Sequence, residues 1–453
     1  MRTLSNVRLQ LAIALTITSV ACSSSKNSGF PIAGGDSGGG GGGGLDAADG
    51  SGTGSGIGTR GDSGSMTLGS DGGSDAAITA CASTDPNADM DHDGFTPAQG
   101  DCDDCDPNVN PGAIDVLHTV DGGTPTWGDE NCSGVPGDNA KPCDTGLALT
   151  DVVAGDAAKA IELCATATMT DRHYGVISAT YVRADGTPFA SPGLQVGIQP
   201  GWGPNVHPQG GTSLLALSSG AARVVGQPGA CGSVTCKFNP TATPPTGFPQ
   251  DDPACPPTAA IAYDVALELQ VRVPTNATGY SFGFKFYSFE FPEYVCDPKG
   301  YNDQFVALMT PAPTGSYVPA GSTAGNISFD SNHNPVSVNL GFFDVCDGVT
   351  SRFASSCIAA GGTCPTVPSP YCPLGVGELS GTGFDVWHST GPAGATRWLQ
   401  SQAPATPGSI ITLRFAIWDA GNAEFDSTVL LDNVTWIASG AVPVVTQPTT
   451  NPK

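Results

Sequence analysis

The chain has 453 residues, with 42 Asp and Glu against 17 Lys and Arg, and a formal net charge of -25 at pH 7. So large a negative excess repels other polyanions, which excludes nucleic acid and the face of an anionic membrane as partners. Residues 1–21 carry Arg2 and Arg8 and then an apolar run from Leu9 to Ala21. That is the pattern of a secretory signal peptide, and it is too short to cross a bilayer as a mature helix.

Cys22 follows at once. Ser19-Val-Ala-Cys22 resembles a lipobox, with Ser19 in place of the usual Leu. The resemblance implies cleavage before Cys22 and a lipid on its sulfur, so that the exported chain is held at a membrane or cell surface. Residues 22–80 are Gly, Ser and Asp with almost no large apolar side chain, and such a segment cannot bury a core. As a disordered Gly-rich coil it spans roughly 40 Å, enough to hold a folded head clear of a lipid surface. Gly35-Asp-Ser-Gly-Gly39 copies the string around the nucleophile of trypsin-like proteases, yet no scaffold surrounds it here, and a triad is defined by geometry rather than by a string.

Residues 81–144 differ in kind, with thirteen Asp and one Glu against the single Lys141. Asp89-Met-Asp-His-Asp-Gly94 sets oxygens at alternate positions before a Gly, as a calcium loop requires, but Gly100 stands where an EF-hand needs its Glu. Together with Asp101-Cys-Asp-Asp-Cys-Asp-Pro107, Val109-Asn-Pro-Gly-Ala113 and Asp129-Glu-Asn-Cys-Ser-Gly134, this run resembles an acidic metal-binding motif related to thrombospondin type 3 repeats. The resemblance implies Asp89, Asp91, Asp93, Asp101, Asp103, Asp104, Asp106 and Asp115 as ligands, with Asp115 where the family has Glu and Ser133 where it has Asp. Hard oxygen donors point to calcium rather than zinc or copper. An acidic, solvated linker is the plain alternative.

With Cys22 set aside for the anchor, fourteen cysteines remain, an even number in an exported chain, which predicts disulfides. Five lie between 81 and 143, so at least one stays free or pairs outside that module. Cys102 and Cys105 form a Cys-x-x-Cys without the βαβ context of a redox motif. Cys346, Cys357, Cys364 and Cys372 sit in a Gly/Pro/Ser-rich insertion, 346–372, where two local bridges would supply order without a core.

Residues 145–438 read as one β-rich domain. A short helix is predicted with Asp156 capping Ala157 to Cys164. Strands are predicted over Tyr174–Val182, Tyr263–Val273, Tyr280–Ser288, Gln304–Met309, Asn326–Asp330, Pro335–Asn339, Ile410–Trp418 and Val429–Trp436. In Tyr280–Ser288 the aromatics Tyr280, Phe282, Phe284 and Phe286 alternate with Ser281, Gly283, Lys285 and Tyr287, one face for a core. Many short strands with one helix predict an antiparallel β-sandwich, jelly-roll-like. Residues 439–453 are Pro/Thr-rich and are expected to be a disordered tail.

Between two of these strands the acids Glu290, Glu293, Asp297, Asn302 and Asp303 crowd into one elbow. Carboxylates this close are either well solvated or share a cation, and calcium is the expected one. Asp419 ends one strand and Asp426 precedes the next, so Glu290, Glu293, Asn302, Asp303, Asp419 and Asp426 are expected to meet at one end of the sandwich as a second calcium site. The alternative is that these acids only cap strands and turns. Asp432 and Asn433 lie inside a strand pattern, where an acid can simply face solvent.

Ser288-Phe-Glu-Phe-Pro-Glu-Tyr-Val295 with Tyr301-Asn-Asp-Gln-Phe305, then Asn326-Ile-Ser-Phe329 with Pro335-Val-Ser-Val-Asn339, then Trp418 to Asp432 resemble, in order, three motifs of choice-of-anchor L domains, bacterial surface modules. Phe289 and Asn422 depart from the family's Glu and Asp. The resemblance covers about two thirds of the chain and implies a surface location and a sandwich more firmly than a ligand. The expectation is a non-catalytic, calcium-binding surface lipoprotein whose sandwich binds a glycan or another surface protein. The alternative is an exported hydrolase of polysaccharide or ester using Glu290 and Glu293; the six histidines form no HExxH.

Overall fold

The computed structural model describes residues 84–453 except 120–122, 239, 254, 340–341, 347–371, 387–392 and 422. The signal segment, Cys22, the tether, Cys81, Cys357, Cys364 and Asn422 lie outside the described residues. In chain order the acidic module holds β1 (Leu117–His118) and β2 (Thr126–Trp127), followed by helix α1 (Ala154–Lys159). The sandwich strands are β3 (Gly175–Val182), β4 (Val196–Gln199), β5 (Leu214–Ser218), β6 (Ile261–Arg272), β7 (Gly279–Ser288), β8 (Gln304–Thr310), β9 (Gly325–Asn326) and β10 (Val336–Ser337). They continue with β11 (Phe343–Val345), β12 (Gly394–Thr396), β13 (Leu399–Pro404), β14 (Ile410–Ala420), β15 (Ser427–Ile437) and β16 (Val445–Pro448).

Two antiparallel sheets form the sandwich. One runs β10-β8-β14-β6-β3, and the other runs β11-β12-β7-β15-β5-β4 with β13 joining β7 to β16. Their facing sides share one core, in which Phe282 meets Phe415 at 5.0 Å between ring centroids and Phe284 meets Phe305 at 5.2 Å. The alternating apolar positions of β6 and β7 produce this layer, since successive side chains of a strand point to opposite faces.

The expectation of one buried face on β7 needs correction, because all ten of its residues are buried. Its second face carries Tyr287 into a separate apolar cluster with Leu430 of β15 and with Trp202, Phe384 and Trp398, which lie on segments between strands. Lys285 is thereby sealed at 0% exposure and donates to Glu378.

Other elements shift. The helix begins at Ala154 with Val153 at its N-cap position, and Asp156 lies in its first turn paired to Lys159 at 2.6 Å rather than capping it. It ends before Cys164 because Glu162 turns left-handed at φ +74 and the Leu163 N–H returns to the Ala158 carbonyl. The strands expected at 326–330 and 335–339 shrink to two paired residues each; Ile327 instead bonds Ala307, and Phe329 bonds the Thr446 hydroxyl. The expected tail is not structureless in its middle, where Val445–Pro448 adds to the sheet against β13.

Disulfides join Cys102 to Cys132, Cys143 to Cys164, Cys231 to Cys236, Cys255 to Cys296, and Cys346 to Cys372. Cys143 is thus the cysteine of the acidic module that pairs beyond it. Cys105 is also disulfide-bonded, though not to Cys102. Of the two local bridges expected in the insertion, one joins Cys346 to Cys372 across it, and Cys357 and Cys364 lie outside the described residues.

The acidic module is stitched to the turn between β6 and β7. Ile114 and Asn276 exchange hydrogen bonds of 3.0 and 2.8 Å, the Thr275 N–H donates to the Gly112 carbonyl at 2.9 Å, and the Thr275 hydroxyl donates to Asn110 at 2.7 Å. A side chain at Gly112 would meet Thr275 at 2.9 Å, so glycine is what permits this approach.

Candidate metal centre

In the acidic module the loop is folded by its own carboxylates. Asp89 accepts the N–H groups of His92 and Gly94, Asp93 that of Phe95, Asp101 that of Asp103, and Asp104 that of Met90. Asp89 accepts with both of its oxygens, whereas Asp93, Asp101 and Asp104 accept these N–H groups with Oδ1 alone. Asp89, Asp91 and Asp104 each offer an oxygen within 4.8 Å of the others, and so do Asp91, Asp93 and Asp101, with Asp91 common to both sets. Asp91 Oδ2, Asp93 Oδ2 and Asp101 Oδ2 are buried with no hydrogen-bond partner. Burial and then the neighbouring negative charges raise all three acids above the usual carboxylate range, Asp93 to about 6. Oxygens so placed suit a hard cation, which would neutralise the repulsion that otherwise favours protonation.

Three of the acids implied as ligands by the motif lie elsewhere. Asp103 is exposed, Asp106 closes a turn on Asn108, and Asp115 is buried beneath the far loop. Asp115 accepts the N–H groups of Asn131, Gly137 and Asp138, which gives it a structural place outside the two triads. Across from it Glu130 accepts the Val116 N–H and pairs with His118.

At one end of the sandwich the structure brings together Glu290, Asp303, Asp419 and Asp426, exposed by 0, 0, 0 and 4%. This is no solvated loop. Asp303 lies at the centre: its Oδ1 accepts the Ala420 N–H at 2.8 Å, its Oδ2 accepts the Ser427 hydroxyl at 2.6 Å, and its own N–H donates to Glu290 at 3.3 Å. A bulge between Ile417 and Asp419 in β14 turns Asp419 inward, as bulges do where a strand must re-aim a side chain. Glu290 Oε1, Asp419 Oδ2 and Asp426 Oδ1 are buried without a partner. Burial and mutual charge push Glu290 and Asp303 well above the carboxylate range and Asp419 up to about 10; burial lifts Asp426 to about 7. No ion pair reaches these four among the described residues. Several kcal/mol per ionised group is the usual cost of such burial, so the cluster must be offset by protons or by a cation.

Glu293 and Asn302 do not complete this set. Glu293 is half-buried on the elbow, and Asn302 is tied to Thr258 and Asn339. Cys231 and Cys236 stand within 4.8 Å of an Asp426 oxygen, but they are joined to each other and offer no thiolate.

A third group was not legible in the sequence. Asp144, Glu162 and Asp432 come together beside Gly210 and Gly211. Asp432, which its strand pattern left free to face solvent, is fully buried and accepts the N–H groups of Gln209 and Gly210. Burial and the charge of Asp144 raise Glu162 from 4.5 to about 7. The folded chain therefore holds a proton that the unfolded chain has released between those values, and stability falls as pH rises through that window. Glu162→Gln is expected to flatten the fall, read as denaturation midpoints at pH 5 and 7.5; an unchanged slope would remove Glu162 from the account.

Comparison with protein-family models, curated proteins and solved structures finds no match to this chain.

Proposed function

We propose that this chain is an exported calcium-binding surface protein, held to a membrane by lipid on Cys22 and displayed on the 22–80 tether, with residues 145–438 as a choice-of-anchor L-like sandwich that binds a glycan or another surface protein. The observation that carries the calcium reading is the convergence of Asp91, Asp93 and Asp101, which each offer an oxygen within 4.8 Å of the others and each carry one buried oxygen without a hydrogen-bond partner. Asp89 and Asp104 would complete the donor set through Asp91. The bound cation would supply no chemistry beyond charge neutralisation and stiffening of a segment poor in apolar residues. The surface location and anchor rest on the signal pattern and on the lipobox and domain motifs.

The role proposed is non-catalytic. A glycosidase pair of Glu290 and Glu293 would have to touch substrate, whereas Glu290 has no exposed surface.

Calorimetric titration of the full chain with calcium tests the reading. Asp91→Asn, which removes the acid shared by both triads, is expected to weaken binding at least about tenfold, or about 1.4 kcal/mol. Equal affinity for wild type and variant would refute the module as the site.

A further inference from the structure

We infer that the cleft between the acidic module and the sandwich binds a cationic glycan, one whose hexosamine units carry free ammonium groups. That the ligand is a glycan rests on the function proposed above; the place and the ammonium group follow from the cleft itself. It encloses about 810 Å³, within the range of about 300–1,000 Å³ usual for small-ligand sites. The module supplies Trp127 and Asp138 to its lining, and the sandwich domain supplies Glu162, Tyr174 and Trp436. Hydrogen bonds between Ile114 and Asn276 and the Cys143–Cys164 disulfide tie the two walls together, so the cleft is in place before a ligand arrives.

Unsatisfied acids mark one side of it. Glu162 Oε1 and Asp144 Oδ1 are both buried without a hydrogen-bond partner, and Asp144 as a whole is exposed by only 1%. Gly210 and Gly211 line the cleft and let these acids sit against their backbone: a Cβ on Gly210 would meet Glu162 Cγ at 2.7 Å, and one on Gly211 would overlap both carboxylates. Buried polar atoms are satisfied almost everywhere in folded proteins, so two orphan carboxylate oxygens at one place call for a donor, and their charge favours a positive one. Lys141 and Lys453 also line the cleft, yet neither forms an ion pair with these acids among the described residues.

Aromatic rings supply the rest. Trp127 is 41% exposed and lies against Gly137, where a Cβ would meet its Cγ at 2.7 Å; Trp436 is braced edge-on by Tyr280 at 5.9 Å between ring centroids. Rings held in this way offer flat apolar surface to the C–H face of a pyranose, and their electron-rich faces attract an ammonium group. Burial and the charges of Asp138 and Asp115 lift Tyr174 to about 12, so its hydroxyl keeps its proton and can donate to a sugar oxygen. A neutral glycan would leave the orphan acids without a counter-charge. An acidic one is repelled by the chain's net charge of -25.

Calorimetric titration of the full chain with glucosamine oligomers tests the cleft, at physiological ionic strength so that general attraction of a polycation to so acidic a chain is screened. Binding is expected, and is expected to weaken at least about tenfold in Trp127→Ala and in Glu162→Gln. Unchanged affinity in either variant overturns the inference, as does equal affinity of the wild-type chain for N-acetylglucosamine oligomers, which lack the ammonium group, or for spermidine, which lacks the sugar. Should Glu162→Gln fail to fold, Trp127→Ala decides alone, because Trp127 lies outside the buried apolar clusters. Glucosamine oligomers that bind Trp127→Ala as they bind wild type keep the glycan-binding role and remove the cleft. No binding by the wild-type chain removes the cleft while its calcium titration stays positive, which separates failure of the cleft from failure of the proposed function.

Discussion

Glu378→Ala is expected to destabilise the protein by about 3 kcal/mol, while Lys285→Met at the other end of the same pair is expected to be neutral or stabilising. Lys285 projects from β7 into the second apolar cluster with no exposed surface, and its ammonium rests on Glu378 and over the Tyr287 ring at 5.7 Å. Burial depresses the Lys285 pKa and Glu378 pulls it back up. Without Glu378 the ammonium either stays charged and unpaired or gives up its proton, and both cost free energy at neutral pH. The folded chain then binds fewer protons than the unfolded one, so the deficit of Glu378→Ala shrinks as pH rises toward the ordinary lysine value. Lys285→Met leaves only Glu378, which is a third exposed and can hydrate. The estimate for Glu378→Ala is kept at the low end for the same reason, since water reaching that edge can partly solvate the ammonium. Urea denaturation at pH 7 and 9 checks both; equal losses in the two variants would mean that the pair is worth its Coulomb attraction and nothing is owed to burial.

The strands that define the sandwich were legible where one face met the core and the other did not, as in the second half of β6, where Glu268, Gln270 and Arg272 alternate with buried Leu267, Leu269 and Val271. The pattern misled where a second apolar layer covered the outer face. β4 and β5 are buried on both sides, so Gly197, Gln199, Ala216 and Ser218 interrupt any period-two signal without marking a turn. β16 was hidden in a Pro/Thr-rich stretch, because its pairing depends on an open edge of β13 that no local composition reveals. In the acidic module the spacing of Asp89, Asp91 and Asp93 was enough to forecast neighbouring carboxylates. Sequence could not tell the acids that gather in the two triads from those placed apart from them, as at Asp106 and Asp115. The sandwich-end acids were legible because each flanks a strand end. The Asp144, Glu162 and Asp432 group was not, since its members are brought together only by the path of Gly210 and Gly211 and by the left-handed turn at Glu162.

Chelation combined with disulfide reduction is expected to unfold the acidic module while the sandwich core persists. Among the described residues between 84 and 144 the buried apolar side chains are Phe95, Ala113 and Ile114, far too few to offset the conformational entropy of sixty-odd residues. What remains is the disulfides, of which Cys102–Cys132, across a sequence separation of 30, is worth about 3 to 4 kcal/mol by loop closure and stands beside those of Cys105 and Cys143, the carboxylate bonds of the loop, and the stitches to Thr275 and Asn276. The carboxylate bonds do not act alone, because the arrangement that lets Asp89, Asp93, Asp101 and Asp104 accept backbone N–H groups also presses their charges together. On the proposed reading calcium would turn the repulsion into coordination, and chelator would leave it working against the loop. Either treatment singly leaves the other constraint in place, and both together leave only the stitches to Thr275 and Asn276. Hydrogen exchange followed peptide by peptide should then show protection lost over Asp89–Asn110 and kept over β6 and β7. If Asp89–Asn110 stays protected in chelator and reductant, the loop is held by its contacts with the sandwich, and the metal stabilises nothing that the fold did not already secure.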